Sequence, residues 1–593
     1  MQKIKSFNFT TSAFQKSDYS ALNEFQLTEV GADKMFLNGR LYNISAAELL
    51  NSYQVEGIRA LKKVDGDFTL FVISSQKIVI VRDRHGVGAQ VFYNRDFITS
   101  NLSDFTKLEN FECKPNIEAL FTFMSIGYIP APMSSLEGVK KLPAGHCLTI
   151  ENGQTTVTDL FPSTEYFARN NTCKLALDEA VVEYERLHKK AISQRIENAS
   201  KVGLLLSGGY DSGGNISALR DVYDDSITSY SIGFKNNQWT ELPLAKLLSE
   251  KYGSKHYEYE IDGSEIMNLP QILSVTGDPF QEGGLLVNYT AMELVRQSGE
   301  EPDVILGGDG NDQHFGTSGK ELALHWKMKQ KRLQPFQKMF DYVGNLGVFN
   351  KDNILFRTEF HNRKILYIQQ SDIFGFTPYE INKLNSTGLK IDGFEYLKSH
   401  PEKFENFDAF FFNRNLNIDI KQVINEVILY KSSRMAELFD NCMTFPYMST
   451  DLYEFLSTLP VDYKCHGTFD KLSSGQGVSK YLHKEYLKSK LPTEITDRKK
   501  QGGFAPLPIF LRDDKQRKML FSYLRKSDMV KLLFKAHGID KLLNHYENSL
   551  KSKPYWFWFQ QVKSNQIINL LTVAVWWDMV INKKNISSMN ELV

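Results

Sequence analysis

Two short stretches of this chain carry residue types that do chemistry on phosphates. The first, Leu204 to Gly214 (LLLSGGYDSGG), sets a polar, glycine-rich turn directly behind an apolar strand and ahead of a helix. At such a junction the first helical N–H groups are unbonded and the helix dipole is positive, so an anion binds there readily. Gly208 and Gly209 let the backbone approach a phosphate closely, and Ser207 and Ser212 add hydroxyl donors. Asp211 cannot donate to a phosphate; a carboxylate at such a site calls for a cation between the two, and Mg2+ is the usual one. The second stretch runs DVILGG into DGNDQHFG, so that Asp309 and Asp312 follow Gly307 and Gly308 at the carboxyl edge of a strand, where α/β proteins bind ligands. Carboxylates from two strand ends, Asp211 and Asp312, can share one Mg2+ on a pyrophosphate. Neither stretch is GxxxxGK[ST] or GxGxxG. Taken alone, DGND has the composition of a surface turn.

The surrounding pattern supplies the elements that must hold these turns. From Met1 to about Phe161 short strands such as FTLFVIS (68–74) and KIVIVRD (77–83) alternate with polar turns, which predicts a β-rich antiparallel unit. FPSTEYFARNNTC reads as a polar linker, and helical spacing begins in LALDEAVVEYERLHKKAISQRI. The boundary falls near residue 165, giving domains 1–165 and 166–593. Beyond it strand and helix alternate through VGLLLS, SITSYSIGF, HYEYEI and DVILGG, as in a parallel sheet whose strands are covered on both faces. From about Lys320 onward the pattern is mostly helical, and IINLLTVAVWWDMVI (567–581) is too short and too interrupted by Asn569 and Asp578 for a membrane span. It reads as a core helix, and the neighbouring YWFWF (555–559) as packing.

Composition narrows the function further. Lys plus Arg number 70 against 70 Asp plus Glu, so bulk nucleic-acid binding, which uses a basic excess, is disfavoured. The five cysteines are scattered and form no CxxC, which suits a reducing, cytoplasmic setting and no zinc ribbon. The N-terminus has no apolar h-region, so no secretory signal is expected.

Ser207 to Ser212 resembles the SGGxDS loop of the PP-loop ATP pyrophosphatases, which cleave ATP between its α and β phosphates. With the second loop the chain is similar to the synthetase domain of the asparagine synthetase family, whose corresponding loop reads LSGxGADExFGG. SIGF (231–234), Glu241, His256, FPYMSTDLYEFLSTLP (445–460) and DRKKQGGFAP (497–506) fit the family in the same order. The resemblance implies ATP with its adenine near Leu206 and Ile232, its phosphates on Ser207, Gly208, Gly209 and Ser212 with Gly307 and Gly308 opposite, and Mg2+ on Asp211 and Asp312. Lys500 takes the place of the family's catalytic lysine, offsetting charge on the pentavalent phosphorus, and Asp309 is the second catalytic candidate. On composition alone Lys500 is one cation in a solvated RKK run.

The N-terminal unit is similar to the family's glutaminase domain through FLNGRLYN (36–43), VDGDFTLFV (64–72) and VRDRHGVGAQVFYN (81–94). The implied fold class is α/β: an Ntn-type αββα sandwich followed by an adenine nucleotide α-hydrolase-like parallel sheet domain with a helical C-terminal part. One departure bears on activity. Glutamine-hydrolysing members use an N-terminal cysteine; Gln2 stands there and the nearest thiol is Cys113, so glutamine hydrolysis is expected to be absent. A domain without that cysteine is familiar from β-lactam synthetases and lasso-peptide macrolactam synthetases, where the nucleophile is an amine of the substrate. Tyr210 stands where the family has Leu, Gln313 and His314 follow Asp312, and Thr444 to Ser449 lack the Arg and Asp of the family's RxPFxD element. His314 reads as a base or, more commonly for a lone histidine, a structural residue.

The expectation is therefore an ATP-dependent, AMP- and pyrophosphate-forming ligase joining a small-molecule or peptide carboxylate to an amine, with a precursor peptide or a biosynthetic protein as candidate partner. Free ammonia acting on aspartate, a non-catalytic scaffold, and a sulfur-transferring PP-loop enzyme are the rivals. The last is disfavoured by the absence of paired cysteines.

Overall fold

A computed structural model describes residues 3–12, 18–74, 77–235, 240–316, 319–330, 352–366, 375–391, 403–497, 505–551 and 556–592. The N-terminal part is built on two antiparallel sheets, one of six strands and one of four. Strand Gly66–Ser74 is central to the larger sheet, and its period-2 pattern faces two cores. Phe71 and Ile73 join Ile80, Ile98 and Leu148 between the two sheets. Leu70 and Val72 face the opposite way, toward Leu49, Leu50, Leu120 and Phe123 of two covering helices. One of those helices, Ala46–Glu56, is started by a capping box: Ser45 Oγ accepts from the Glu48 N–H while the Glu48 carboxylate accepts from the Ser45 N–H.

The second part holds a wholly parallel sheet. Its strands are β1 (Val202–Leu205), β2 (Ile227–Phe234), β3 (Ser254–Ile261), β4 (Val304–Leu306) and β5 (Met443–Thr444), in the order β3-β2-β1-β4-β5. Helix α1 (Leu177–Arg195) precedes β1 and buries Ala180, Tyr184, Leu187, His188, Ala191 and Ile192, a stripe at helical spacing. Helix α2 (Tyr210–Val222) follows β1, and the one-turn helix α3 (Asn311–Phe315) follows β4. The strand order reverses between β1 and β4, so the crevice outside their carboxyl ends is the place where an open α/β sheet takes ligand.

Three local expectations differ from the fold. The stretch read as a linker contains a short helix, Ser163–Phe167, because Tyr166 is buried against Tyr453. HYEYEI belongs to β3, which among the described residues pairs only with β2; as an edge strand with alternating Glu and Tyr it is largely exposed rather than covered on both faces. Strand β5 went unread: its two residues are recruited by β4 through pairs such as Leu306 and Thr444, and nothing local marks them as a strand. The apolar C-terminal run is the core helix expected, buried for most of Phe557–Trp576, with Trp556 and Phe559 packed on Phe356 and Phe360. No helix among the described residues is long and apolar enough to cross a membrane. All five cysteines are free.

The two parts share one continuous apolar core. Buried ion pairs cross between them: Arg195 lies in a two-pronged contact with Asp65, each prong 3.1 Å, and Lys141 meets Asp278 at 2.8 Å.

Candidate active site

The site begins at the end of β1. The Leu206 N–H donates to Tyr230 O at 2.9 Å and the Ser231 hydroxyl donates to Leu206 O, so the chain stays strand-like for one more residue before it turns. Gly208 takes φ +74°, and a Cβ there would come within 2.7 Å of Leu244 Cβ. Both conformation and space therefore demand glycine. The turn is closed by Ser212, whose hydroxyl accepts from the Ser207 N–H at 3.0 Å and lies 3.0 Å from Ser207 Oγ. Ser212 is buried, so the phosphate-donor role expected of it gives way to shaping the loop; Ser207 is the exposed hydroxyl of the pair. The Leu206 side chain lies in the core with Val202, Leu204 and Ile216, whereas Ile232 is half-buried near the end of β2.

The second loop leaves β4 beside the first. Gly308 packs on the backbone of Ser212, and Gly307 O accepts from Asn215 Nδ2 at 2.9 Å, which ties helix α2 to this loop. Gly307 itself backs onto Phe445 and Met443. Asp309 is half-buried, accepts from Ser432 Oγ at 2.8 Å, and is raised above the usual carboxylate range by burial, an effect that Lys431 and Ser432 only partly offset.

Between the loops stands a residue that sequence reasoning missed. Lys480 Nζ lies 2.5 Å from Asp211 Oδ2 and also contacts Asp312 Oδ1. Lys480 is 7% exposed; burial opposes its charge, but Asp211 and Asp312 outweigh that and raise it above its ordinary value. Its backbone is left-handed, φ +54° and ψ +42°, a conformation that costs a side-chain-bearing residue about 1–3 kcal/mol and collects at functional sites. It caps the start of helix α4 (Tyr481–Leu487). In a lysine-rich segment such as SKYLHKEYLKSK, no spacing distinguishes this lysine from its solvated neighbours.

Behind Asp211 is a buried polar frame. Asn311 Nδ2 donates to Asp211 Oδ1 at 2.7 Å, and the Tyr184 hydroxyl donates to Asn311 Oδ1 at 2.9 Å and lies 3.0 Å from His483 Nδ1. The Tyr447 hydroxyl donates to Asp211 O at 2.8 Å, and the His188 ring stacks on Tyr447 at 4.4 Å. Burial pushes His188 down to about 3 and lowers His483, so both rings are neutral frame members at neutral pH. Tyr447 belongs to the TFPYMS segment, which the sequence presents both as part of the family-like stretch 445–460 and as lacking the Arg and Asp of the RxPFxD element. His314 is structural too: its Nε2 faces Tyr447 O at 2.8 Å and burial pushes it down to about 3. The Tyr210 hydroxyl donates to Thr496 O at 3.1 Å, binding the first loop to the segment that leads toward Lys500. Lys500, with Arg498 and Lys499, lies outside the described residues.

The geometry thus gathers Ser207, Asp211, Asp309, Asp312 and Lys480 at one sheet edge. In the N-terminal part the residues of FLNGRLYN are committed elsewhere. Asn38 exchanges hydrogen bonds with the Lys5 backbone at 2.7 and 2.8 Å. Arg40 reaches Asp67 and Met443 O, and the Tyr42 hydroxyl, 2.9 Å from Thr444 Oγ1, also reaches Asp67. Burial raises Cys113, Cys147, Cys442 and Cys465, with Cys465 pushed up to about 11, the opposite of an activated thiolate.

Comparison with known proteins agrees with this organisation. Residues 183–578 match the family model described as asparagine synthase, and residues 29–161 match that of the glutamine amidotransferase domain. The chain is 23% identical over 517 residues to the asparagine synthetase [glutamine-hydrolyzing] 1 of Bacillus subtilis, covering 84% of this chain and 78% of that protein. Among solved structures, the U34-tRNA thiolase NcsA of Methanococcus maripaludis with its [4Fe-4S] cluster aligns with 54% of this chain and 81% of its own, at 13% identity and a TM-score of 0.20. The glutamine phosphoribosylpyrophosphate amidotransferase of B. subtilis, complexed with ADP and GMP, aligns with 48% of this chain and 63% of its own, at 11% identity and a TM-score of 0.14. Likenesses of that size carry no argument about function. The family match spans the parallel sheet, both loops and Lys480, and the chain belongs to the asparagine synthase family.

Proposed function

We propose that this chain is an ATP-dependent carbon–nitrogen ligase that activates a substrate carboxylate as an acyl-adenylate and joins it to an amine carried by a substrate. The observation that carries the reading is the meeting of Asp211 and Asp312 on one ammonium, Lys480, in the crevice between β1 and β4. An anionic leaving group seated there has the exposed Ser207 hydroxyl, the start of α2 and Lys480 to hold it. The donor set also fits Mg2+, which commonly takes one or two carboxylates and completes its shell with phosphate oxygens and water. Asp211 and Asp312 would supply those two carboxylates once the Lys480 ammonium turns from them onto a phosphate, and no three-residue cage forms among the described residues. When bound there Mg2+ would neutralise charge on the pyrophosphate.

In the first step a carboxylate oxygen attacks the α-phosphorus and the bond to the β-phosphate breaks, releasing pyrophosphate. In the second the amine nitrogen attacks the acyl carbon, the C–O bond to AMP breaks, and the nitrogen gives up a proton. Asp309, raised by burial and set beside Lys431 and Ser432, is the group of this chain suited to take it. Lys500 has the family's charge-offsetting role in this reading. Buried, unactivated thiols and an N-terminal part tied up by Arg40, Tyr42 and Asp67 favour an amine that does not come from glutamine. A small-molecule or peptide carboxylate, delivered free or by a partner protein, is the acyl donor.

The test is to incubate the protein with Mg2+, ATP and candidate carboxylates, with and without ammonia or glutamine, and to identify the nucleotide product. AMP with pyrophosphate is expected, and Asp211→Ala should abolish both. ADP formation, or turnover with glutamine equal to that with ammonia, overturns the reading.

A further inference from the structure

Asp309 stands between Gly308 and Gly310, the latter at φ +102°, so its own backbone does little to aim its carboxylate. The aim comes from two helices. Helix Leu429–Leu438 carries Ser432, whose hydroxyl donates to Asp309 Oδ2 at 2.8 Å. Helix Leu285–Ser298 carries Asn288, whose Nδ2 donates to Ser432 Oγ at 2.5 Å. An amide nitrogen only donates, so the Ser432 oxygen accepts from it and the single hydroxyl hydrogen is left for Asp309. The donations therefore run one way, from Asn288 through Ser432 to Asp309. Ser432 is 1% exposed, and Tyr289, the residue after Asn288, packs edge-on against Phe439 at the end of the other helix, ring centroids 5.1 Å apart. Both donors thus sit on packed, rigid elements.

The neighbouring cation is engaged elsewhere. Lys431 Nζ donates to Glu282 Oε2 at 2.5 Å, and that oxygen also accepts from the Gly284 N–H at 2.8 Å. Burial, aided by Glu282 and Asp211, pushes Asp309 toward its protonated form, while Lys431 and Ser432 oppose it. A proton acceptor must be ionised and must turn an unoccupied oxygen toward the nitrogen it serves. The hydrogen bond on Oδ2 serves both ends: it favours the carboxylate, and it leaves Oδ1, which makes no hydrogen bond among the described residues.

We infer that Asn288 and Ser432 are positioning residues of the ligase, acting in series to fix the Asp309 carboxylate with Oδ2 engaged and Oδ1 presented to the attacking amine. This role deepens the ligase reading and rests on it for the identity of the step. There the amine nitrogen forms its bond to the acyl carbon, AMP leaves with the electron pair of the C–O bond, and the proton of the nitrogen passes to Asp309 Oδ1. Ser432 and Asn288 exchange no proton; each donation polarises the next.

Two measurements on the full chain keep this role and the ligase reading apart. The first needs no substrate: a water-soluble carbodiimide with glycinamide converts accessible protonated carboxyl groups to amides, and peptide mass spectrometry reads the rate at Asp309. At about pH 6, Ser432→Ala should label Asp309 about 10-fold faster or more, since a hydrogen bond to a charged group is worth about 10- to 100-fold. Ser432→Thr keeps the hydroxyl and should label at the wild-type rate. Asn288→Leu should give a smaller rise, about 2- to 5-fold, and add nothing to Ser432→Ala, because it acts through that hydroxyl. The second is the ligase assay, with the carboxylate that releases pyrophosphate there and ammonia as the amine. Ser432→Ala should keep the first-turnover burst of pyrophosphate and lose about 10- to 100-fold in amide formation, and hydroxylamine, a stronger nucleophile that needs less help from a base, should restore part of the rate. Wild-type labelling in Ser432→Ala, substitutions whose effects multiply independently, or a pyrophosphate burst lost together with amide formation overturns the inference. If Asn288→Leu does not fold, the two Ser432 variants decide. Absence of pyrophosphate with every carboxylate overturns the ligase reading alone, and the labelling still decides whether Ser432 and Asn288 hold Asp309.

Discussion

Replacing Lys480 with methionine keeps the length and apolar stem of the side chain and removes only the charge that joins Asp211 to Asp312. Both carboxylates touch the same nitrogen, so their nearest oxygens are within about 5 Å of each other. At an effective dielectric of about 20, two like charges at that separation repel by about 3 kcal/mol. Their side chains are 20% and 29% exposed, so solvent screens part of this, and a loss of about 1–3 kcal/mol of stability is expected. The vacated pair then attracts a divalent cation. Differential scanning calorimetry should find Lys480→Met melting below the wild type in chelator and recovering in 10 mM Mg2+, with a much smaller response from the wild type. Pyrophosphate release should fall by about 100- to 1000-fold if the ammonium stabilises the leaving group. A variant that melts like the wild type, ignores Mg2+ and releases pyrophosphate at the normal rate refutes the reasoning from this cluster.

Two further outcomes follow from buried charges elsewhere. Lys464 is 2% exposed, with its ammonium over the Phe412 ring at 5.5 Å, and burial pushes it down to about 7 from an ordinary 10.5. A base depressed in the fold costs stability fully below its folded value and progressively less above it. Between pH 7 and 9 the unfolded chain therefore binds more protons, and stability should rise with pH by at most about 1.4 kcal/mol per unit. Lys464→Met should flatten that slope in melting curves; parallel profiles count against it. Arg195→Ala strands the buried Asp65 carboxylate at the junction of the two parts, and a loss of about 3–5 kcal/mol is expected in denaturant titration, with unfolding splitting into two transitions. A single transition within 1 kcal/mol of the wild type would mean that the pair does not couple them.

Much of this candidate site is legible in the sequence, for definable reasons. A strand followed by Ser, two glycines and an aspartate reads as a phosphate loop or as a plain Gly/Ser turn after a buried strand, and the structure adds that Gly208 needs both its positive φ and its missing Cβ. Asp309 and Asp312 were found because they too follow an apolar strand directly. Ser212 lies in the loop, and its hydroxyl turns inward to Ser207, which no spacing along the chain shows. Tyr447 and Tyr184 were invisible because each is a tyrosine at an apolar position, and only the contacts with Asp211 and Asn311 distinguish them.

What the sequence by itself determined is local: the two strand-end turns, the helical stripe of Leu177–Arg195, the β-rich character of the first 160 or so residues, and the family resemblance that runs along nearly all of the chain. These depend on neighbours a few residues apart, through hydrogen-bond geometry, glycine's freedom and the periods of strand and helix. The tertiary structure alone decided that β1 and β4 are adjacent, that Met443–Thr444 extends the sheet, and that Lys480 closes on Asp211 across 269 residues of chain. Charge pairing and burial depend on distance in space, which no spacing along the chain records.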